Sequence, residues 1–327
     1  MFNKVCVPAL KRKTDIASLQ MFFSEYGAVS AFGLLLLFNI LFTPNFFQLS
    51  TLFLIIKQTT SLAFVAVGMT MVISLGGTDI SVGSMMAFCG ILIVTFLKAG
   101  LNFFACILIS FALCTLIGIF NGIVIAKVHI QPIILTLVMQ IVLRGFTVML
   151  ANSTVMPLSK YKVLYNLGIM RFGGAIPIQV LFFFGATLLA FLLIKKSILG
   201  KYIEGIGSSQ KAAHLCGINV DKIIIAVYAL SALFASFAGM LEMARTAALD
   251  PNLLGKYFEL DAIASVAVGG TSMKGGKSKI FGTIIGCIIM TMIGTTVNMN
   301  NVPFAVANII KAGIIIFSLA VQYRAAD

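Results

Sequence analysis

Long apolar runs recur along almost the whole chain, and they leave few folds open. Two of them, residues 177–194 (PIQVLFFFGATLLAFLLI) and 223–240 (IIIAVYALSALFASFAGM), closely flank one polar interval, 195–222. Each is near the ~20 apolar residues that cross a bilayer core. Further spans are predicted at 26–43, 51–75, 84–97, 102–126, 132–151, 280–297 and 303–321. Residues 259–270 (ELDAIASVAVGG) are too short and too polar at their start for a plain span, and read as a broken helix or re-entrant segment. The predicted class is therefore an all-α integral membrane protein with about ten transmembrane helices, some of them broken or re-entrant. It is organised as a short N-terminal segment (1–25) on the cytoplasmic side and a single transmembrane domain (26–327).

Composition excludes a soluble enzyme with a large core: 60% of the 327 residues are hydrophobic and 10% are charged, against ~45–50% and ~25% in soluble domains. The net charge of +13 is read as orientation, because short basic loops stay in the cytoplasm. Of the 23 Lys and Arg, only Lys98, Lys160, Lys162, Arg171 and Lys256 fall on predicted outer segments. Lys4, Lys11, Arg12 and Lys13 precede the first run, which is full span length and so is a retained helix rather than a cleaved signal. Both termini are expected inside. There is no clustered basic face for nucleic acid. The six cysteines are scattered without any C-x-x-C, so neither a disulfide framework nor a metal site is expected.

The most telling interruption is Gly76-Gly77-Thr78-Asp79-Ile80-Ser81-Val82-Gly83. Backbone that leaves a helix at membrane depth must be buried in protein or line water. Asp79 and Ser81 can satisfy the freed N–H groups as a cap does, and Glu259 and Asp261 can do the same at the start of the 259–270 segment. A second glycine pair, Gly269-Gly270, echoes Gly76-Gly77. Paired interruptions of this kind point to two repeats of opposite topology. Arg144 and Lys311 are single cations inside apolar runs, expected to pair with polar neighbours or snorkel. TSMKGGKS (271–278) only imitates a phosphate loop: Thr271 stands where the pattern needs Gly, and no strand precedes it. It reads as a tight basic turn. His129 and His214 lie in separate loops and build no catalytic constellation.

The polar interval carries Lys195, Lys196, Lys201, Lys211 and Lys222 against Glu204 and Asp221, so it is placed in the cytoplasm. Its middle, from Gln210 to Leu215, is mostly good helix formers. Gly217 stands where a helix stop belongs. A short helix between two spans is a handle on which a soluble partner could push. Its candidate contact residues are Gly207, Ser208, Ser209, Ala212, Ala213, Gly217 and Ile218. Small side chains at Ala212 and Ala213 would allow close docking.

Four stretches carry a family resemblance: VGMTMVISLGGTDISVGS (67–84), NGIVIAK with IQPIILTL (121–137), ELDAIASVAVGGTSMKGG (259–276), and the handle with Ala212-Ala213 and Cys216-Gly217-Ile218. In these the chain resembles the permease subunits of bacterial ABC importers for monosaccharides, in the branch with ribose, galactose and galactofuranose permeases. Gly207-Ser208-Ser209 departs from the Gly-Gly-Asn usual there, and Thr78 and Ile80 replace Ile and Leu. The resemblance implies a transport subunit in the inner membrane with no catalytic or metal site and no cofactor of its own. ATP would be bound by a cytoplasmic ATPase with two fused nucleotide-binding domains, which docks the handle as a coupling helix. A second permease copy, identical or paralogous, and a periplasmic sugar-binding protein complete the implied assembly, with membrane lipid around it and no nucleic acid. A ribose-like pentose is the first expected cargo. Galactofuranose or galactose is next, because Ile130-Gln131-Pro132 and Tyr202-Ile203-Glu204 echo the galactofuranose branch. Two other classes bear on the same residues. An ion-coupled carrier acting alone would need Asp79, Glu242 or Asp261 as coupling sites. A membrane-embedded enzyme lacks any cluster of acid, base and nucleophile.

The charge bias makes a direct prediction. In a cysteine-free background, Asn166→Cys is labelled from outside intact cells by a membrane-impermeant maleimide, and Ser208→Cys is protected. The reverse pattern would invert the topology.

Overall fold

The computed structural model describes residues 28–174 and 176–324; the expected cytoplasmic segment 1–25 lies outside them. The helices are α1 (Ala28–Phe42), α2 (Leu49–Ser74), α3 (Val82–Lys98), α4 (Phe103–Ile123), α5 (Pro132–Leu150), α6 (Lys162–Ile169), α7 (Ile178–Phe191), α8 (Ile198–Ser208), α9 (Gln210–Leu215), α10 (Val220–Thr246), α11 (Phe258–Val268), α12 (Ile280–Met299) and α13 (Phe304–Arg324). The only sheet among the described residues is two pairs of two-residue strands at the end away from the handle. Each predicted apolar segment coincides with one helix. Among the described residues, six helices, counting the π-helical turns that extend α4 and α7, are long and apolar enough to cross a membrane; α1, α3 and the Ala305–Ile316 part of α13 are shorter apolar stretches.

Helix ends follow local chemistry. Asn102 caps α4 by accepting from the Ala105 N–H (2.7 Å), and Asn219 caps α10 by accepting from the Lys222 N–H (3.1 Å). Pro132 opens α5 at a position where its missing N–H costs nothing. Inside the helices, hydroxyls such as those of Thr59, Thr70, Thr147 and Ser236 donate to the carbonyl four residues back. Polar side chains are thereby satisfied without leaving the helix.

The core forms around α2 and α10, of 26 and 27 residues, each about 40 Å long at 1.5 Å per residue. α10 packs against α2, α3 and α4, and small residues set the spacing. A Cβ on Gly118 of α4 would lie 2.6 Å from the Tyr228 carbonyl, and one on Gly122 would lie 2.6 Å from Ile225 Cα. Gly118-x-x-x-Gly122 is the small-residue pattern that lets two membrane helices touch backbones. α1 is fixed to α12 by a polar chain: Thr296 donates to Asn39 (2.6 Å), as does Thr43 (2.9 Å), and Asn300 donates to Thr43 (3.1 Å).

After α10 the chain turns back into the bundle. Leu249 and Leu254 pack over Gly90 of α3, while Gly255 reaches Gly83 and Met86. The segment therefore descends along α3 by seven residues, about 10 Å. α11 starts at that depth. Its 11 residues cover only about 16 Å, so it is a half-helix, and residues 250–257 are the re-entrant piece. Arg144 of α5 supports this piece: its guanidinium donates to the carbonyls of Pro251 (3.0 Å) and Leu254 (2.8 Å). Lys311 of α13 pairs with Asp261 at 2.7 Å.

α2 and α11 both end at the handle side, where the turn that follows Gly269-Gly270 meets the end of α2: the Gly276 N–H donates to the Ser74 carbonyl (2.9 Å). In repeats of opposite direction, equivalent breaks would lie at opposite ends. Gly76-Gly77 and Gly269-Gly270 are therefore not equivalents of that kind.

The Asp261–Lys311 pair yields a prediction. Lys311→Ala strands a half-buried carboxylate and costs about 3–5 kcal/mol, read as a lowered melting temperature in detergent. Asp261→Asn with Lys311→Met restores most of the loss.

Candidate functional site

The handle is two helices, where the sequence reading expects a single short one around Gln210–Leu215. Ser197 caps α8 by accepting from the Gly200 N–H (3.3 Å). Ile203 and Ile206 of α8 are buried against the bundle. Ser209 is fully extended (φ −164°) and so breaks the helix. Its hydroxyl then caps α9 by accepting from the Ala212 N–H (3.2 Å). At the far end the Gly217 N–H donates to His214 O (2.9 Å) and the Ile218 N–H to Ala213 O (3.1 Å), with Gly217 at φ +79°. This is the glycine-stopped helix end anticipated from the sequence. The two alanines divide: Ala212 is exposed, whereas Ala213 faces inward and is 5% exposed. The smallness of Ala213 answers to packing within the chain, which corrects its assignment to the docking face. Ala212, Leu215 and Cys216 are all exposed, and their i, i+3, i+4 spacing places them on one side of the turn. Leu215 is 90% exposed.

Gly76 and Gly270 perform the same service for α2 and α11. Each has positive φ (+88° and +79°). The Gly76 N–H donates to Ile73 O (2.8 Å) and that of Gly77 to Val72 O (3.0 Å). The Gly270 N–H donates to Ala267 O (3.0 Å) and that of Thr271 to Val266 O (3.2 Å). The neighbouring glycines serve close approach. A Cβ on Gly77 would meet the Tyr228 hydroxyl at 2.8 Å, and Gly269 lies against Gly282 of α12.

Asp79 is buried and joins two helices. Its Oδ1 accepts from the Ser81 N–H (3.1 Å) and hydroxyl (2.6 Å), and its Oδ2 accepts from the Ser231 hydroxyl of α10 (3.0 Å). Asp79, not Ser81, takes the freed Ser81 N–H, because the Ser81 hydroxyl donates back to it, and the Ile80 N–H donates to the Thr136 hydroxyl (3.1 Å). Gly83 packs on Gly255 at the inner end of the re-entrant piece. Glu259 is buried, with Oε1 accepting from Gln140 (3.2 Å) and Oε2 without a hydrogen-bond partner. Asp261, in the first turn of α11, is held by Lys311.

The structure brings together residues that sequence reasoning kept apart. The 271–279 turn sits against α8. Glu204 Oε1 accepts from the Ser278 N–H (3.2 Å) and from the Ser278 hydroxyl. Lys195 Nζ donates to the Ser278 carbonyl (3.0 Å) and lies 3.5 Å from Glu204 Oε1. The one available signal was that Glu204 is an isolated acid in a basic interval.

Residues 51–319 match the family described as branched-chain amino acid transport system / permease component. The chain is 37% identical over 299 residues to the ribose import permease protein RbsC of Escherichia coli K12, covering 90% of this chain and 93% of the relative. It is 32% identical to the galactose/methyl galactoside import permease protein MglC of Salmonella typhimurium (96% and 97%) and 30% identical to the galactofuranose transporter permease protein YtfT of E. coli K12 (82% and 78%). No solved structure matches the chain significantly.

Asp79 gives this site its test. Asp79→Asn keeps the acceptor for the Ser81 N–H and holds near-normal folded yield. Asp79→Leu strands that N–H and the Ser231 hydroxyl, at about 1–3 kcal/mol per buried group, and lowers the monodisperse peak in detergent chromatography. Loss of transport in Asp79→Asn at normal abundance would instead make the charge itself functional.

Proposed function

The chain belongs to the branched-chain amino acid transport system / permease component family, among its monosaccharide ABC permeases, and from that premise we propose how it works. It is a multi-pass inner-membrane protein and the transport subunit of a sugar importer. Membership implies an ATPase and a periplasmic binding protein beside it. In the proposed arrangement two permease copies enclose one sugar path. A separate cytoplasmic ATPase with two fused nucleotide-binding domains receives α8–α9, with both termini on that same side. ATP-driven closure of the ATPase moves the handle and rocks the spans around the path. The cargo is a ribose-like pentose, the reading favoured by the 37% identity to a ribose import permease; the binding protein makes most of the selection.

The observation that carries the coupling role is the apolar side of α9. A leucine left 90% exposed on a basic, water-facing handle has no use to this chain alone. Beside Ala212 and Cys216 it fits a hydrophobic groove on a soluble partner.

Leu215→Asp and Ala212→Trp are expected to cut co-purification of the ATPase tenfold or more. Burying one Leu is worth about 1.5–3 kcal/mol, and each 1.4 kcal/mol is a factor of about ten. Folding of the spans is untouched, since α9 lies outside them. Lys211→Ala does less, because an exposed cation contributes about 0–1 kcal/mol. Wild-type co-purification and uptake in both Leu215→Asp and Ala212→Trp would remove the handle from the mechanism. Uptake of a labelled ribose, galactose and galactofuranose panel reads the cargo.

A further inference from the structure

The handle is bolted to the connection between α11 and α12. All three polar groups of Ser278 are taken by two residues that flank the start of α8. Glu204 accepts from its N–H and its hydroxyl, and Lys195 donates to its carbonyl. One helical turn further along α8, Gly207 is wedged between Ser74 and Gly276. A Cβ there would stand 2.6 Å from the Gly276 nitrogen and would collide with the Ser74 carbonyl. Gly275 completes the contact: its Cβ would meet Gly207 O at 3.0 Å and Gly76 N at 3.1 Å. Gly275 and Gly276 both have positive φ (+89° and +82°), so glycine is required twice over, by conformation and by space.

The turn is also closed on itself. The Gly275 N–H donates to Ser272 O (3.1 Å), the Ser272 N–H to Lys277 O (3.3 Å), and the Lys279 N–H to Thr271 Oγ1 (3.0 Å). It cannot stretch, and it runs straight into α12 at Ile280. The Gly276–Ser74 hydrogen bond ties it to the last residue of α2. A displacement of α8 is thus delivered to α2, α11 and α12 together.

We propose that the Glu204–Ser278 contact, with the Gly207–Gly276 packing behind it, is the joint that passes movement of the handle to α11–α12, and that it stays closed through the transport cycle. Glu204 is a positioning residue in this scheme. The inference rests on the reading of α8–α9 as the ATPase-docking handle, and co-purification of the ATPase with the wild-type chain tests that reading separately.

Two measurements decide it, each using the sugar that the wild type takes up. In the first, Glu204→Gln and Glu204→Ala complexes are assayed for ATP hydrolysis and for uptake. The expected result is hydrolysis within twofold of wild type, with uptake per ATP reduced about threefold in Gln and tenfold in Ala. An unchanged ratio of uptake to hydrolysis would overturn the joint. The second holds even if Glu204→Ala fails to accumulate. Lys201, one turn before Glu204 on α8, and Lys277, next to Ser278, are both exposed and lie beside the Glu204–Ser278 contact, so cysteines there are bridged by a thiol-cleavable bis-maleimide that leaves the glycines and Glu204 in place. In a cysteine-free background, Lys201→Cys with Lys277→Cys is compared with itself, bridged and cleaved by reductant, so any effect of the substitutions is common to both states. Uptake by the cross-linked form within twofold of the cleaved form supports a joint that stays closed. A fall of fivefold or more that reductant reverses shows that the segments must part, and overturns it.

Discussion

In hydrocarbon no backbone N–H or C=O can be left bare, and the features of this molecule that depart from plain spanning helices follow from that constraint. α11 begins inside the bundle, which exposes the carbonyls of the preceding turn where no water need reach them. Arg144 supplies the missing donors, to Pro251 and Leu254. Its side chain is therefore the reason a re-entrant piece can exist at that depth. Asp79 solves the complementary problem at the start of α3 by accepting from the Ser81 N–H. Glycines at Gly76 and Gly270 turn the last carbonyls of α2 and α11 inward onto their own following N–H groups. Breaks that would be intolerable bare become fixed points of the fold.

A second consequence is mechanical. Helices that satisfy their own backbones attract one another in lipid mainly by close packing, so small residues set where they touch. Gly118 and Gly122 bring α4 onto α10, and Gly207, Gly275 and Gly276 bring α8, the end of α2 and the 271–279 turn within backbone contact. Such contacts are stiff, because no side chain lies between the backbones to yield. A bundle assembled in this way moves as rigid groups of helices, which suits an importer that rocks its spans around a path.

Much of this was readable from the sequence, for physical reasons. Spans advertise themselves through continuous apolar length. The stops at Gly76, Gly217 and Gly270 were legible because positive φ falls to glycine. The pairing of Lys311 followed from the cost of a lone charge among apolar residues. What was hidden is long-range or geometric. Glu204 and Ser278 are 74 residues apart, and no periodic pattern links a surface acid to a serine in a turn. Ala213 and Ala212 are chemically identical, and a six-residue helix is too short for its apolar period to say which faces in. The kinship of the two glycine breaks was misread because both mark helix ends; the sequence does not show that those ends lie side by side.

The placement of the acids bears on how transport is driven. An ion-coupled carrier needs a carboxylate that can exchange its counter-ion as the site opens to each side. Asp79 is held by two hydroxyls and a backbone N–H, Glu242 by both arms of Arg245 (2.6 and 3.0 Å), and Asp261 by Lys311. Each acid already has fixed partners, and freeing any of them would cost the fold a helix contact or a cap. Glu259 keeps one buried oxygen unpaired, but it lies against the glycine contact that closes the re-entrant piece, where a migrating cation would have to displace backbone. An exposed Leu215 and Ala212 on α9, a capped helix that continues from the α8 tied to the end of α2 and to the turn before α12, are open to a soluble partner instead. Drive delivered through that handle, as proposed above, would need none of these acids to change partners.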